Sequence, residues 1–180
     1  MLRVCLDLNV WCGALLAQGL GRKDTAAGFL AHTVRGGASA QGPIALVISL
    51  GMLDRLRTVL ARDLGFGEGD ADRLCELIAA YGREGPSLTL GGVGVLPVSD
   101  EEDRHVLETA WSGQADVLVT HNLTDFLEAG AETLVDEQVY GLRRGAGRLL
   151  LCHTFAAAAW LRGESWPDPV RRFLDREVNR

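Results

Sequence analysis

Short apolar runs alternate with segments of helical period along this chain, and this alternation limits the fold more than any other feature. The apolar runs, each of a length typical of a buried strand, are residues 3–8, 44–48, 95–98, 115–119 and 148–152. The segments in which apolar residues recur at helical spacing are residues 24–34, 52–60, 70–82, 103–112 and 154–161. Strands that alternate with helices favour right-handed crossovers and a parallel sheet. We therefore expect an α/β fold of three layers, in which a parallel sheet of about five strands is flanked by helices.

The length of the chain allows one domain. With 180 residues, it is long enough for one hydrophobic core and too short for two domains of ordinary size. Its 47% hydrophobic and 23% charged residues exclude a disordered chain or a fibrous repeat. We expect residues 1–162 to form the domain and residues 163–180 to add a helical extension to it. The Gly-rich stretch 82–94 is expected to be a loop or a weak edge strand.

Composition also bears on where the protein acts. No segment is apolar enough to cross a bilayer, and the N-terminus lacks the pattern of a secretory signal. The cysteines form no CxxC pair, which favours free thiols over a disulfide or zinc framework. These features predict a cytoplasmic protein without a membrane partner. The net charge of −6 counts against bulk electrostatic binding of nucleic acid, although it leaves a nuclease open.

Polar side chains follow the predicted strands at the points where the strands end. The carboxyl ends of parallel strands meet at one edge of a sheet, where ligands of α/β proteins bind. We therefore expect several residues to converge at this edge: Asp7, Ser49, Asp103, Thr120, Asn122 and Asp125. Ser49 is also expected as a helix N-cap and Thr120 as a turn hydroxyl, since these are common structural uses of both residue types.

Three of these residues are carboxylates. Asp7, Asp103 and Asp125 would repel one another and raise their own pKa values unless a divalent cation neutralised them. A site of hard oxygen ligands favours Mg²⁺ or Mn²⁺, and such a site suits phosphodiester hydrolysis. Each Asp alone is also a common turn former or helix cap. Asp100 or Glu102 stay open as alternatives to Asp103, because all three lie at the start of one predicted helix.

Five segments of the chain resemble the PIN-domain family, whose members are compact α/β nucleases and include many VapC-like toxin ribonucleases. In order and spacing the segments cover most of the chain up to about residue 162, and the fourth is the most specific. They are VCLDLNVW (4–11), LVISLGMLDRLRTVL (46–60), SDEEDRHVLETA (99–110), ADVLVTHNLTDF (115–126) and LLLCHTFAAAAWL (149–161).

The resemblance implies a function for the residues at the strand ends. It assigns Asp7, Asp103 and Asp125 to the metal site, and Asn122 stands where the family often has Asp. The remaining matches are to supporting polar positions: Asn9, Ser49 and Thr120. The activity implied is that of a Mg²⁺- or Mn²⁺-dependent endoribonuclease that leaves a 5′-phosphate and a 3′-hydroxyl on its RNA substrate. The implied partners are a small antitoxin protein and a second copy of the chain in a homodimer.

One position departs from the family pattern. Arg55 occupies the place of a family Glu, counted from Ser49, and Asp54 is its immediate neighbour. Adjacent positions on a helix point about 100° apart, so Asp54 is a supporting candidate but no automatic substitute. A cation there would compete with metal, which favours a catalytically impaired module that binds RNA or protein. Alternatively, Arg55 turns outward or pairs with an acid or a phosphate, and a three-carboxylate site remains.

Other residues offer weaker indications. Arg143, Arg144 and Arg148 flank a Gly-rich stretch before the last predicted strand, and they and the arginines near the C-terminus are candidates for contacts to an RNA backbone at the rim of the site. For the C-terminal arginines, a solvated helix face is the alternative. His121 is a candidate phosphate contact, with a solvated loop histidine as the alternative. The histidines share no metal-binding spacing, so zinc catalysis is not expected.

Overall fold

A seven-stranded mixed sheet runs through the computed structural model, which describes residues 1–82, 96–98 and 100–175. The strands are β1 (Leu2–Leu6), β2 (Ala38–Ser39), β3 (Gly42–Val47), β4 (Val117–Thr120), β5 (Glu132–Val135), β6 (Val139–Arg144) and β7 (Gly147–His153). The helices are α1 (Leu8–Gly19), α2 (Ala26–Gly36), α3 (Leu50–Arg62), α4 (Glu68–Gly82), α5 (Glu101–Ser112), α6 (Thr154–Leu161), α7 (Asp168–Asp175) and a 3₁₀ helix (Thr124–Ala129). Most of the Gly-rich stretch 82–94 lies outside the described residues.

The sheet has the order β2-β3-β1-β4-β7-β6-β5, and its centre is parallel. Strand β1 pairs in parallel with β3 on one side and with β4 on the other, and β4 pairs in parallel with β7. The chain therefore reverses its direction of winding at β1, which is the kind of switch point where α/β sheets form their clefts. Helices flank the sheet, and α5 packs on β1 and β4. The predicted α/β fold is confirmed.

The number and direction of the strands differ from the expectation of about five parallel strands. Strands β5 and β6 extend the sheet beyond β7, and both run antiparallel to their neighbours. An antiparallel strand needs only a hairpin turn, whereas a parallel strand needs a crossover helix. Gly145 makes the turn between β6 and β7 with φ of 54°. Parallel strands are recognised in a sequence because a helix separates each strand from the next. No helix lies between the strands of a hairpin, so the sequence pattern does not predict β5 and β6.

Residues 95–98 were also expected to form a strand, and this prediction is wrong for the described residues 96–98, which belong to no strand. Leu96 and Val98 are nevertheless buried. The N–H of Leu96 donates to Glu108 Oε1 at 3.0 Å, and the ring of Pro97 leaves that residue without an N–H for a ladder. The apolar character of this segment therefore reflects packing near α5.

Helix α1 follows β1 after a single residue, although the sequence at this point favours a turn. Asp7 lies between the two elements and caps the helix, because its Oδ1 accepts the N–H of Leu8 at 2.6 Å. The segment LNVWCGALLAQG has apolar residues around most of the helix, so its sequence lacks a clear helical period. One Asp therefore ends the strand and starts the helix at the edge of the sheet.

The C-terminal helix α7 packs against the antiparallel part of the sheet. The ring of Phe173 is 2% exposed and lies over Gly141 of β6, where a Cβ would come within 2.4 Å of the ring. The guanidinium groups of Arg143 and Arg148 donate to the carbonyls of Phe173 and Leu174 at the end of this helix. In the part of the chain that the structure describes, no helix is both long and apolar enough to span a membrane.

Candidate active site

Asp7 is a buried carboxylate whose two oxygens are both engaged. Its Oδ1 accepts the N–H of Leu8, and its Oδ2 accepts hydrogen bonds from Thr120 Oγ1 at 2.7 Å and from Asn9 Nδ2 at 2.8 Å. Burial raises the pKa of Asp7, and the hydrogen bonds from Thr120, Leu8 and Asn9 oppose that rise. The donors around Asp7 therefore stabilise its ionised form at a position where water cannot.

Asn9 and Thr120 join the ends of β1 and β4. Asn9 Nδ2 lies 3.0 Å from Thr120 Oγ1, and Asn9 Oδ1 accepts the N–H of His121 at 3.2 Å. Thr120 Oγ1 also accepts the N–H of Asn122 at 3.0 Å. These contacts hold the start of α1 and the exit of β4 in one arrangement around Asp7. The expected supporting residues Asn9 and Thr120 therefore lie beside the first acid.

Asp103 and Asp125 meet across two different elements. Asp103 lies on the first turn of α5, Asp125 lies in the 3₁₀ helix, and burial together with the charge of Asp125 raises the pKa of Asp103. Asn122 Nδ2 donates to Asp125 Oδ2, and Thr124 Oγ1 donates to Asn122 Oδ1 at 2.9 Å. Asn122 therefore orients Asp125, which in turn acts on Asp103 through its charge.

The electrostatics of Asp103 connect all three acids. Its pKa rises from 3.8 to about 7, first because of burial and then because of the charges of Asp125, Asp7 and Asp100. Asp100 precedes α5, and its Oδ1 accepts the N–H of Asp103 at 3.3 Å, as a helix cap does. Asp100, one of the two alternatives to Asp103, thus acts on Asp103 through its charge and a hydrogen bond to the backbone. The side chain of Glu102, the other alternative, is not among the parts of the chain that the structure describes.

Ser49 lies two residues beyond the end of β3, the strand that pairs in parallel with β1. It is fully buried at the start of α3, where its Oγ accepts the N–H of Met52 at 3.1 Å. The same oxygen accepts a hydrogen bond from Thr109 Oγ1 at 3.0 Å and lies 3.2 Å from His105 Nε2. Thr109 and His105 belong to α5, so Ser49 connects α3 to the helix that carries Asp103.

Asp54 and Arg55 lie on the exposed side of α3. Asp54 Oδ1 accepts a hydrogen bond from Arg57 at 2.8 Å, and Arg57 reaches Asp72 of α4 at 3.7 Å. Asp54 therefore belongs to a surface network between α3 and α4. Arg55 is exposed, which agrees with a cation that turns outward or pairs with an acid, the two alternatives that leave a three-carboxylate site.

Two residues at the exit of β7 escaped the sequence reasoning. His153 lies 5.8 Å from His121 and 5.1 Å from Phe155, measured between ring centroids. Burial and the neighbouring His153 lower the pKa of His121, and burial lowers the pKa of His153, which favours the neutral form of both rings. The sequence does place these residues near the site, because residues 153–155 directly follow the last predicted strand.

The arginines Arg143, Arg144 and Arg148 lie at the other end of the sheet. Arg148 follows the first residue of β7 and the acids lie where parallel strands end, so the length of β7 separates the two. Arg143 and Arg148 donate to carbonyls at the end of α7, and Arg144 Nη2 donates to the carbonyl of Ala129 at 3.3 Å. The prediction that these arginines line the rim of the acid site is therefore wrong, because they hold backbone elements together.

The acids fit a hard divalent cation by the chemistry of their donor set. The carboxylates of Asp7, Asp100 and Asp125 all oppose the ionisation of Asp103, as expected where a cation is needed. Among the described residues, no three acidic, histidine or cysteine side chains are grouped as a ready set of ligands. Mg²⁺ commonly binds through one or two carboxylates and keeps several waters. The pair Asp103 and Asp125 satisfies that requirement.

Comparison with known proteins agrees with this arrangement. A family model described as a PIN domain matches residues 3–124, which include Asp7, Asp103 and Asn122 and end one residue before Asp125. No curated protein and no solved structure gives a significant match. PIN domains are generally nucleases, and they generally use divalent metal ions. Because the matched region spans most of the chain and contains Asp7 and Asp103, this protein belongs to the PIN-domain family.

Proposed function

We propose that this chain is a metal-dependent endoribonuclease that hydrolyses phosphodiester bonds at the carboxyl edge of β1 and β4. One observation carries the proposal. Asp7, Asp103 and Asp125 belong to three separate parts of the chain, and burial together with the charges of Asp125 and Asp7 raises the pKa of Asp103 to about 7. A cluster of carboxylates with this much uncompensated charge suits a divalent cation and an anionic substrate held through it.

The side chains of the cluster have separate roles in this proposal. Asp103 and Asp125 would hold Mg²⁺ or Mn²⁺, with Asp7 as the third acid. When bound, such an ion supplies positive charge to a phosphate and lowers the pKa of a water molecule. Thr120 and Asn9 keep Asp7 in one orientation through bonds of 2.7 and 2.8 Å to its Oδ2. Asn122 does the same for Asp125, so two of the three carboxylates are oriented before any ligand binds.

Cleavage of a structured RNA pool in Mg²⁺ or Mn²⁺ tests the proposal. We expect the native protein to cleave and Asp7→Asn to be inactive. Asp136→Asn, which changes an exposed Asp in the turn between β5 and β6, is the matched control and should keep full activity. A single-stranded DNA of equivalent sequence establishes whether RNA is the preferred substrate. Full activity of Asp7→Asn at matched metal concentration would contradict the site assignment.

A second candidate is a catalytically impaired PIN domain that binds RNA or protein. The observation that favours it is the cation Arg55 at the position where the family pattern has Glu. In the same cleavage experiment, Arg55→Glu separates the two candidates. A silent native protein together with an active Arg55→Glu variant supports the impaired module. Cleavage by the native protein shows that Arg55 is tolerated, as its exposed position on α3 favours.

The resemblance to VapC-like toxins suggests a biological setting for the nuclease. We infer that its activity is toxic when unopposed and that a small antitoxin protein binds it, with the chain itself as a homodimer. Induced expression of the native protein should stop growth, whereas Asp7→Asn should not. Co-purification with the product of a neighbouring short open reading frame, and a dimer mass in light scattering, test the two partners.

A further inference from the structure

An aromatic surface lies at the exit of β7, and we define it by three residues: His121, His153 and Phe155. Phe155 is 70% exposed, and among the strongly exposed large apolar side chains of the described residues it is the aromatic one. Its ring centroid is 5.1 Å from that of His153, with 42° between the planes. His153 in turn meets His121 edge to face at 5.8 Å. The aromatic surface therefore presents the ring of Phe155 to solvent with two imidazoles beside it.

The aromatic surface lies next to the acids. His153 is the register partner of Thr120 in the parallel pair of β4 and β7, and Thr120 donates to Asp7 at 2.7 Å. Neighbouring strands are about 4.8 Å apart. Asp7 and His153 are thus about two strand spacings apart. A nucleotide whose phosphate lies at the acids can span that distance with its base.

The three rings are held in place by the start of α6. The N–H of Phe155 donates to His153 Nδ1 at 3.4 Å, so His153 caps this helix. The buried hydroxyl of Thr154 lies 3.2 Å from His121 Nδ1. Both imidazoles bond to residues at the start of α6, so the rings beside Phe155 are held in fixed positions. An ordered ring loses less conformational entropy when a ligand stacks on it.

We propose that Phe155, supported by His153, stacks on an unpaired nucleobase adjacent to the scissile phosphate. This inference rests on the proposed function, since that function places the phosphate at the acids. Aromatic side chains bind single-stranded nucleic acids by stacking, and every base has a face for it. A base inside a duplex has no free face, so the aromatic surface selects single-stranded RNA. The net charge of −6 makes stacking the more important contribution, because general attraction to phosphates is weak.

Binding measured by fluorescence anisotropy tests the inference without catalysis. The probes are a labelled 12-nucleotide RNA of mixed sequence and the same strand in a duplex, both in EDTA. We expect Phe155→Ala to weaken single-strand binding about 5- to 150-fold, the range of one stacked base, and to leave duplex binding unchanged. Phe155→Tyr should bind like the native protein. Leu77→Ala, which removes a side chain 54% exposed on α4, is the matched control and should also bind normally.

An abasic substitution in the RNA identifies the base that stacks. If Phe155 contacts that base, removing the base and truncating Phe155 should together weaken binding no more than either change alone. Unchanged single-strand affinity in Phe155→Ala overturns the inference, as does an equal loss for single strand and duplex. A native protein that binds no single-stranded RNA also overturns it. A change in oligomeric state with unchanged RNA affinity assigns Phe155 to a contact between copies and overturns it as well.

Cleavage assays in Mn²⁺ separate this inference from the proposed function. If the native protein binds single-stranded RNA through Phe155 but cleaves none, the aromatic surface stands and the nuclease proposal fails. If the native protein cleaves, Asp7→Asn does not, and Phe155→Ala binds and cleaves as the native protein does, the nuclease stands and the inference about Phe155 fails.

Discussion

Asp103 lies near enough to Asp125 that burial and the charge of Asp125 raise the pKa of Asp103 to about 7. Asp103 comes from the first turn of α5 and Asp125 from the 3₁₀ helix, so this interaction links two separate elements. A divalent cation beside a carboxylate favours its ionised form, as loss of the proton does. Under the proposed function, proton and metal would therefore compete at Asp103, and both stability and metal binding would depend on pH.

The first prediction concerns stability against pH without metal. The pKa of Asp103 is about 7 in the folded chain and near 3.8 when unperturbed, so the folded state binds more protons between these values. Stability then falls as pH rises through this window. Asp103→Asn removes the charge, so it should flatten this fall and be more stable than the native protein at pH 8. Melting temperatures in EDTA from pH 4.5 to 8.5 measure the effect.

Asp136→Asn is the control for this series, because it removes an exposed charge in the turn between β5 and β6. Its melting temperature should follow the native dependence on pH. An Asp103→Asn profile with the same slope as the native one would show that repulsion at Asp103 is not the cause.

The second prediction concerns stabilisation by metal. Mn²⁺ should raise the melting temperature of the native protein more at pH 8 than at pH 5.5, because protons occupy the acids at the lower pH. A ligand that binds only the folded state stabilises it by about 2.7 kcal/mol at a concentration 100 times its Kd. Asp125→Asn should lose most of this effect, and Asp136→Asn should keep it. Equal stabilisation of all three proteins would place the metal elsewhere.

The third prediction concerns the hydroxyl that supports Asp7. Thr120→Val keeps the shape of the side chain but removes the donor to Asp7 Oδ2 and the acceptor for the N–H of Asn122. A buried polar group left without its partner costs about 1–3 kcal/mol. Urea unfolding should show a loss of this size. Thr133→Val in exposed β5 should change the unfolding free energy by less than about 0.5 kcal/mol, and an equal loss there would refute the argument.

The fourth prediction concerns two glycines at the second positions of α3 and α4. Ala in place of Gly stabilises an open helix position by about 0.5–1 kcal/mol. Gly69→Ala should gain this amount because no atom lies within 4 Å of the new Cβ. The new Cβ of Gly51→Ala would lie 2.5 Å from His105 Nε2, so the ring must move and lose its contact with Ser49. Gly51→Ala should therefore be less stable than Gly69→Ala by about one hydrogen bond, about 1 kcal/mol.

Urea unfolding of both glycine variants measures this difference. Equal gains in the two proteins would mean that the contact between His105 and Ser49 adds nothing to stability, and that the connection from α3 to α5 depends on Thr109 alone.

The sequence predicts those parts of the site where a polar residue directly follows an apolar run. Asp7 and Thr120 each follow an apolar run, and the geometry of a parallel sheet brings such exits together whatever the details of packing. The placement of Ser49 was less visible, since a helix cap and a ligand position look alike in sequence. Its role became clear only through its contacts with Thr109 and His105 of a distant helix.

Other features depend on tertiary contacts that no local pattern records. Helix α1 has apolar residues around most of its surface, so its sequence lacks the period of a half-buried helix. Helix α6, with the sequence TFAAAAWL, is equally apolar, and which of its residues faces solvent depends on how it docks on the sheet. For that reason the exposure of Phe155 was not predictable, although the strand before it was.

Asp7 has two structural duties that Asn can also perform. As an N-cap, Asn is about as good as Asp, and its side-chain oxygen can still accept either the N–H of Leu8 or the hydroxyl of Thr120. What Asn cannot supply is the negative charge. An Asp codon becomes an Asn codon by one nucleotide change, so under the proposed function a single mutational step would separate an active copy of this gene from one that makes a folded, silent protein. Such a protein would still occupy RNA or a partner, and would therefore act in a cell as a dominant competitor of the active copy.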